Sequence, residues 1–221
     1  MFALPAQTAQ QARQDLQSAV ELEPEQVSWY QLTLEPNTLF YRHPPRLPDA
    51  DAAWDIQREG QTFLAAHGYS QYEVSAYARP GFECRHNLNY WRFGDYLGIG
   101  AGAHGKLSFS EDNRIERRWK LKNPGDYMAH AGTEAAVGGV EDVPEAARPL
   151  EFVMNGLRLQ QGFAEADYAD RTGLPLQTLE PALSECLELG LLERSAGRIR
   201  CTADGWRLLD SVLERFCVPR A

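Results

Sequence analysis

The densest group of side chains with chemical potential lies at residues 86–91, which read His-Asn-Leu-Asn-Tyr-Trp. A histidine imidazole can ligate a transition metal or a heme iron, and an adjacent asparagine such as Asn87 can orient that ring. The aromatic faces of Tyr90 and Trp91 offer a flat apolar wall that suits a porphyrin. Three arginines flank the segment and could pair with propionates: Arg79, Arg85 and Arg92. The alternative is that His86 caps a loop while the aromatic residues fill the core.

A second cluster runs from Gly98 to Gly105 and contains four glycines and His104. Glycines permit unusual backbone angles and close approach to a ligand, so the segment could line a pocket with His104 as a second ligand candidate. It does not match a dinucleotide fingerprint, because His104 occupies the place of the third glycine and no ribose carboxylate follows. A tight turn between strands explains it equally well.

The remaining charged groups favour structural roles. Glu35 and Glu73 lie at or within predicted strands, where a carboxylate can face an active site, but no catalytic partner is spaced to match them. A salt bridge or a loop anchor is the simpler interpretation. A basic run could bind an anion or form a solvated strand face: Arg114, Arg117, Arg118, Lys120 and Lys122.

Composition excludes several classes of protein. The chain has 221 residues and a net charge of −9, which argues against a general binder of nucleic acids or anionic membranes. No apolar run approaches the ~20 residues of a membrane span, and no secretory signal is evident. The four cysteines form no CxxC-type pair and predict a cytoplasmic protein with free thiols and no iron–sulfur cluster: Cys84, Cys186, Cys201 and Cys217.

Alternating elements in the first part must position these residues. Residues 1–5, 27–34 and 69–77 have strand composition, and helix periodicity covers 9–22 and 50–67, with Thr8 and Asp49 as N-caps. This order predicts parallel βα units with right-handed crossovers. The fold class is therefore α/β, either a small open domain or the rear strands of a partial parallel α/β barrel.

Three regions are expected: a partial barrel with the histidine segment at 1–130, a glycine-rich acidic linker at 131–147, and a C-terminal domain at 148–221. Helices at about 149–159, 164–172, 176–193 and 203–216, with a short turn and strand between the last two, predict a winged-helix-like α+β domain. Three acidic residues on its third helix would repel phosphates and argue against DNA binding: Glu180, Glu185 and Glu188.

Several segments together resemble one family in order along the chain: MFALPAQT, SWYQLTLEPNTLF, QYEVSAYARPG, CRHNLNYWRFGDYLGIGAGAHGK and KNPGDYM. They resemble the HemW family of heme chaperones, relatives of oxygen-independent coproporphyrinogen III oxidase in the radical S-adenosylmethionine superfamily. In that family the HNxxYW motif is associated with heme. The resemblance implies heme contact at His86, Asn87, Tyr90 and Trp91, with His86 on the iron, and a heme-acceptor protein as partner.

The chain also departs from the family. Full members carry CxxxCxxC thiolates for a 4Fe-4S cluster that binds S-adenosylmethionine, and these are absent here. Thr33 is placed at the adenosine pocket by position alone. The resemblance implies a C-terminal portion that binds heme without radical catalysis of its own and whose open barrel edge favours self-association. Two alternatives stay open: a fragment of a coproporphyrinogen oxidase-type enzyme, and a winged-helix module that docks a protein.

Overall fold

The computed structural model describes residues 1–217, and the chain divides into two compact units, Met1–Arg85 and a second unit that begins at His86. This boundary differs from the predicted one at residue 130. The histidine segment therefore opens the second unit and is not part of the first.

The first unit contains three helices and three strands: α1 (Ala9–Glu21), α2 (Leu39–Arg42), α3 (Ala50–Ala66), β1 (Gln26–Ser28), β2 (Ser70–Glu73) and β3 (Ala76–Ala78). The predicted caps of the two long helices are present. Thr8 and Gln11 form a reciprocal capping box at α1, and the Asp49 carboxylate accepts the Ala52 N–H at 2.8 Å. Side-chain caps thus start both helices where the sequence predicts.

The strands of this unit do not form the parallel ladder predicted from the sequence. The first predicted strand is reduced to one parallel bridge, in which Phe2 donates to Tyr30 O and accepts from Leu32 N–H, both at 2.9 Å. β1 and β2 both pair antiparallel with β3, in the order β1-β3-β2. The predicted strand 69–77 is instead a hairpin of β2 and β3. Its turn is held by a hydrogen bond of 3.0 Å that the Ser75 N–H donates to the Glu73 carboxylate.

The core of the first unit lies between α1, α3 and the strands. Trp29 is buried there against Phe2, with ring centroids 4.5 Å apart. A Cβ at Gly60 would lie 1.9 Å from the Trp29 ring, so the glycine in α3 is what lets the indole approach the helix backbone.

The short helix α4 (Arg85–Trp91) starts at the last residue of the first unit, and its other residues open the second unit. The second unit continues with an antiparallel sheet of β4 (His104–Phe109), β5 (Arg114–Lys120) and β6 (Val137–Asp142). The helix α5 (Pro124–His130) lies between β5 and β6 in the chain. Its later elements are α6 (Arg148–Gly156), β7 (Phe163–Ala164), α7 (Glu165–Thr172), α8 (Ala182–Glu188), β8 (Leu192–Ser195), β9 (Arg198–Cys201), α9 (Ala203–Arg207) and α10 (Leu209–Arg215).

The segment predicted as a linker, 131–147, contains strand β6. This strand pairs with β5 along its length, with Val140 opposite Arg118. Gly139 leaves room for the Trp119 ring, since a Cβ there would lie 2.1 Å from it. The small residues that suggested a flexible connection instead make room for a large side chain on the neighbouring strand.

The long helix predicted at 176–193 is also divided. A 3₁₀ turn covers Leu176–Leu179, and α8 starts only at Ala182. Pro181 has no N–H to continue a helical ladder, and the Glu180 carboxylate instead accepts the Ser184 N–H at 3.1 Å.

The predicted stop of α7 is confirmed, because Gly173 follows it in a left-handed conformation with φ +69°. The last three strands form a separate sheet in the order β7-β9-β8.

A buried arginine joins the two sheet regions of the second unit. Arg148 is 4% exposed and donates to Thr172 O at the end of α7 (2.9 Å), to Asn113 O in the β4–β5 turn (2.8 Å) and to Val143 O after β6 (3.4 Å). Gly173 lies against the same turn, where a Cβ would be 1.7 Å from the Asn113 amide oxygen. One guanidinium therefore satisfies three backbone carbonyls from separate elements.

We expect Arg148→Ala to lower the free energy of unfolding by about 3 kcal/mol or more, because each buried acceptor left without its donor costs about 1–3 kcal/mol. Arg194→Ala is the matched control, since Arg194 forms only a partly exposed ion pair with Glu165, and such pairs contribute about 1 kcal/mol or less. Urea unfolding followed by tryptophan fluorescence measures both. Equal losses in the two variants would show that Arg148 does not hold the unit together.

Candidate functional site

Helix α4 presents the histidine of the HNxxYW segment at its start. His86 is exposed, and Asn87, Tyr90 and Trp91 are half-buried. Residues four apart lie on the same side of a helix, so His86 lies above Tyr90 and Asn87 above Trp91. The imidazole is therefore open to a ligand, with an aromatic ring one helical turn away on the same side.

The aromatic side chains of α4 form a cluster with the loop that follows. The Tyr90 ring meets the Trp91 ring edge to face at 4.9 Å and the Tyr96 ring at 5.1 Å. Burial, and then the neighbouring Tyr90, raise the pKa of the Tyr96 phenol. On another side the Arg158 guanidinium lies 4.2 Å from the Trp91 ring. The cluster thus gives α4 a fixed apolar side.

A tight turn after α4 anchors the helix to the core. Phe93 adopts a left-handed conformation (φ +57°) that places its ring in the core, 5.6 Å from Phe152. Gly94 follows without a Cβ, which would otherwise lie 2.2 Å from the Asn89 side chain. The Asn89 amide then donates to Asp95 O at 2.9 Å. The turn therefore ties α4 to the next residue of functional interest, Asp95.

Asp95 forms an ion pair with the buried Lys106 of β4. The Lys106 ammonium is 2.9 Å from the Asp95 carboxylate and 4.3 Å from the centre of the Phe93 ring, and the lysine is 2% exposed. The same carboxylate accepts the Ser108 N–H at 2.9 Å and the Ser108 hydroxyl at 2.8 Å. Charge, hydrogen bonds and the aromatic ring together hold the end of α4 on the sheet.

The ion pair shifts the pKa of both partners. Burial works to raise the pKa of Asp95, but the hydrogen bonds from Lys106 and Ser108 outweigh it and hold that pKa below 3.8. Burial lowers the pKa of Lys106, aided by the positive charges of Arg117 and Arg171 and opposed by Asp95. Sequence reasoning missed both residues. Lys106 alternates with Leu107 along a strand, a pattern that favours an exposed lysine.

The glycine-rich segment 98–105 serves packing between this loop and β4. A Cβ at Gly98 would lie 2.4 Å from His104 O, and one at Gly105 would lie 3.1 Å from Tyr96 O. Tyr96 and Lys106 exchange two backbone hydrogen bonds of 3.0 Å across this contact. His104 is exposed and stacks on Trp119 at 6.1 Å. Gly98 and Gly105 thus allow two backbone segments of the protein to approach each other closely.

The other predicted residues lie apart from the cluster or are paired. Thr33 is exposed in the first unit and donates to the exposed Glu35 at 2.9 Å, while Arg79 lies over the Tyr69 ring at 5.4 Å. Glu73 is buried as a turn anchor.

In the basic run, Arg114 and Arg118 both pair with Glu116, and Arg117 pairs with Glu151. Hydrogen bonds from Arg114 and Arg118 lower the pKa of Glu116.

Two of the four cysteines, Cys186 and Cys201, are poorly placed to ligate iron. Within residues 1–217, no three histidine, cysteine or acidic side chains lie close enough together to hold a metal ion. Cys186 and Cys201 belong to the hydrophobic core, and burial raises the pKa of Cys201 to about 12, which disfavours the thiolate that iron requires. No helix in the same range is long and apolar enough to cross a membrane.

Comparison with known proteins matches residues 143–208 to the HemN C-terminal domain. The heme chaperone HemW of Escherichia coli is 47% identical over 216 residues, and that of Haemophilus influenzae is 44% identical over 216 residues. The chain is a homologue of the HemW heme chaperones. HemW of Bacillus subtilis is 31% identical over 221 residues, so the resemblance seen in the motifs extends over nearly the whole chain and is confirmed.

The alignment covers 98% of this chain but 56% of the E. coli HemW and 55% of the H. influenzae HemW. The chain thus spans about half the length of these relatives. A solved structure, the coproporphyrinogen III oxidase HemN of E. coli, described as a radical SAM enzyme, matches with a TM-score of 0.71 at 18% identity. It is covered over 53% of its length, against 97% of this chain. This second likeness supports the α/β fold alone.

We expect Asp95→Asn to lower the free energy of unfolding by about 1–2 kcal/mol at pH 7, because Lys106 then lies buried beside a neutral partner. The folded-state pKa of Asp95 is below its unfolded value, so its contribution is present above about pH 3.8 and is lost as the pH falls through the folded pKa. The difference between variant and wild type should therefore shrink below pH 3.8. Urea unfolding at pH 7 and pH 3 measures it.

Asp112→Asn is the matched control, since Asp112 is an exposed carboxylate in the β4–β5 turn. Its unfolding free energy should match that of the wild type at pH 7. A difference for Asp95→Asn that is equal at both pH values would contradict the ion pair as the source.

Proposed function

We propose that this chain is the heme-binding part of a HemW-like heme chaperone and holds heme for delivery to an acceptor protein. The observation that carries the proposal is the exposed His86 on a helix whose next turn is a fixed aromatic cluster. The identity of 47% to a protein named as a heme chaperone supports it.

In this proposal the His86 imidazole is the axial ligand of the heme iron. A histidine ligand needs one unprotonated ring nitrogen and free access, and the exposed position on α4 supplies the access. Tyr90 and Trp91 contact the macrocycle, with Tyr96 supporting Tyr90 from behind. Asn87 orients the imidazole from the same helix. The Asp95–Lys106 pair keeps the helix in place without touching the ligand.

We propose that the residues of this chain carry out no radical chemistry. In the relatives a 4Fe-4S cluster with bound S-adenosylmethionine would supply radicals, and the cysteines described above do not fit such a cluster. Thr33 is proposed at the edge of the S-adenosylmethionine pocket of the whole protein. Its exposed hydroxyl, held by Glu35, supports that role.

We propose further that the first unit belongs to the rear of an incomplete α/β barrel, predicted to extend to residue 130, and that residues 148–221 form a winged-helix-like domain. Residues 218–221 of that domain lie outside the described residues. The parallel bridge at Phe2 supports the barrel, and the sheet β7-β9-β8 with helices α6, α7 and α8 supports the second fold. A protein is the proposed partner of this domain, because Glu185 and Glu188 on α8 disfavour the phosphates of nucleic acid.

Heme titration followed by the Soret band tests the central proposal. We expect the wild-type chain to saturate at one heme per chain. His86→Ala should shift the Soret maximum and weaken binding about tenfold or more, because the iron loses its axial nitrogen.

His104→Ala and His130→Ala are the controls, since both histidines are exposed in the same unit. Each should titrate like the wild type. A Soret band that is unchanged in His86→Ala, or lost in His104→Ala, would exclude His86 as the ligand.

A further inference from the structure

A cavity of about 280 Å³ lies on the Trp91 side of α4. Its apolar wall includes Trp91, Phe152 and Phe163, and its polar groups come from three elements distant in sequence. This volume lies below the ~300–1,000 Å³ of pockets that enclose drug-sized ligands. It therefore suits one arm of a ligand and not a whole porphyrin.

The polar groups of this cavity are mainly positive. Arg92 follows α4, Arg171 lies in the last turn of α7, and Arg198 begins β9; Asp167 is the one acidic residue among the lining residues. Three positive charges against one negative charge make the cavity attractive to anions.

These charges are not consumed by ion pairs within the part of the chain that the structure describes. Arg198 donates to the backbone carbonyls of Gln161 and Gly162 at 3.2 Å, bonds that orient it without neutralising it. For Arg92 and Arg171, no carboxylate among residues 1–217 lies within salt-bridge distance. Three oriented or unpaired guanidiniums facing one cavity favour a carboxylate, which a guanidinium can bind through two hydrogen bonds.

The cavity and the proposed heme ligand are connected through helix α4, since Trp91 lines the cavity and His86 lies on the same helix. Trp91 lies five residues after His86 on α4, which is about 7.5 Å along the helix axis at 1.5 Å per residue. The indole nitrogen of Trp91 is buried and has no hydrogen-bond acceptor among the described residues. A macrocycle centred near His86 and lying along Tyr90 and Trp91 would extend its edge toward the arginines.

We infer that the cavity formed by Arg92, Arg171 and Arg198 beside Trp91 binds the propionate carboxylates of the porphyrin. This rests on the proposed heme binding and assigns a second, separate contact for the same ligand. Arg92 was a propionate candidate on sequence grounds, whereas Arg171 and Arg198 are brought to it only by the fold. Of the other two sequence candidates, Arg79 lies in the first unit and Arg85 at the start of α4.

The test compares heme with its dimethyl ester, in which both carboxylates are blocked. We expect Arg171→Gln and Arg92→Gln each to weaken binding of heme about five- to tenfold at low salt and to leave binding of the ester unchanged. Arg171→Lys should restore part of the loss. The Soret maximum should stay at its wild-type position, because His86 still ligates the iron. Arg215→Gln, an arginine of α10 that does not line the cavity, is the control.

The outcomes separate the two proposals. If His86→Ala alters the Soret band but the arginine variants lose heme and ester equally, or lose neither, the carboxylate site is wrong and the heme proposal stands. If the wild type shows no saturable Soret band, the proposed function fails first.

Inorganic phosphate serves as the probe of a free-anion site. If phosphate binding depends on Arg171 while heme binding does not, the cavity binds free anions and the inference is overturned.

Discussion

The ion pair between Asp95 and Lys106 is the constraint on which the candidate site depends. A lysine that is 2% exposed is tolerated only with a close counter-charge, and Asp95 supplies it at 2.9 Å. The same aspartate receives the end of α4 through Asn89 and the strand β4 through Ser108. Phe93, held in a left-handed conformation between them, fills the core beneath the pair. The helix that carries His86 therefore has a defined position on the sheet.

A second buried charge extends this order to the rest of the second unit. Arg148 bonds carbonyls of the β4–β5 turn, the end of α7 and the segment after β6. Strands β4 and β5 are thereby linked to α7, the helix that carries Arg171. Two buried cations thus set the geometry between the exposed histidine and the arginine-lined cavity. His86 and the three arginines that line the cavity are exposed, which leaves them open to a ligand.

Part of this organisation is predictable from the sequence. Thr8 and Asp49 start their helices, and Gly173 ends α7, because local hydrogen bonds and backbone conformation decide those positions. The strands are less predictable. Their pairing depends on distant residues, and the strand predicted at 69–77 becomes a hairpin through the Ser75 turn. The apparent linker at 131–147 contains strand β6, since Gly139 accommodates a ring from another strand.

The candidate site shows the same division. His86, Tyr90 and Trp91 lie within six residues of one another, so the sequence alone predicts that they are close together. The Asp95–Lys106 ion pair and the shared cavity of Arg92 and Arg171 could not be predicted, because folding brings together residues that are distant in sequence.

Hydrogen–deuterium exchange of the full chain with and without heme tests whether heme binds along α4 and the arginine-lined cavity. We expect heme to slow exchange at residues 86–98 and at residues 158–171, the two segments that border His86 and two of the cavity arginines. Protection confined to residues 1–85, or absent from 86–98 while heme is bound, would contradict this expectation.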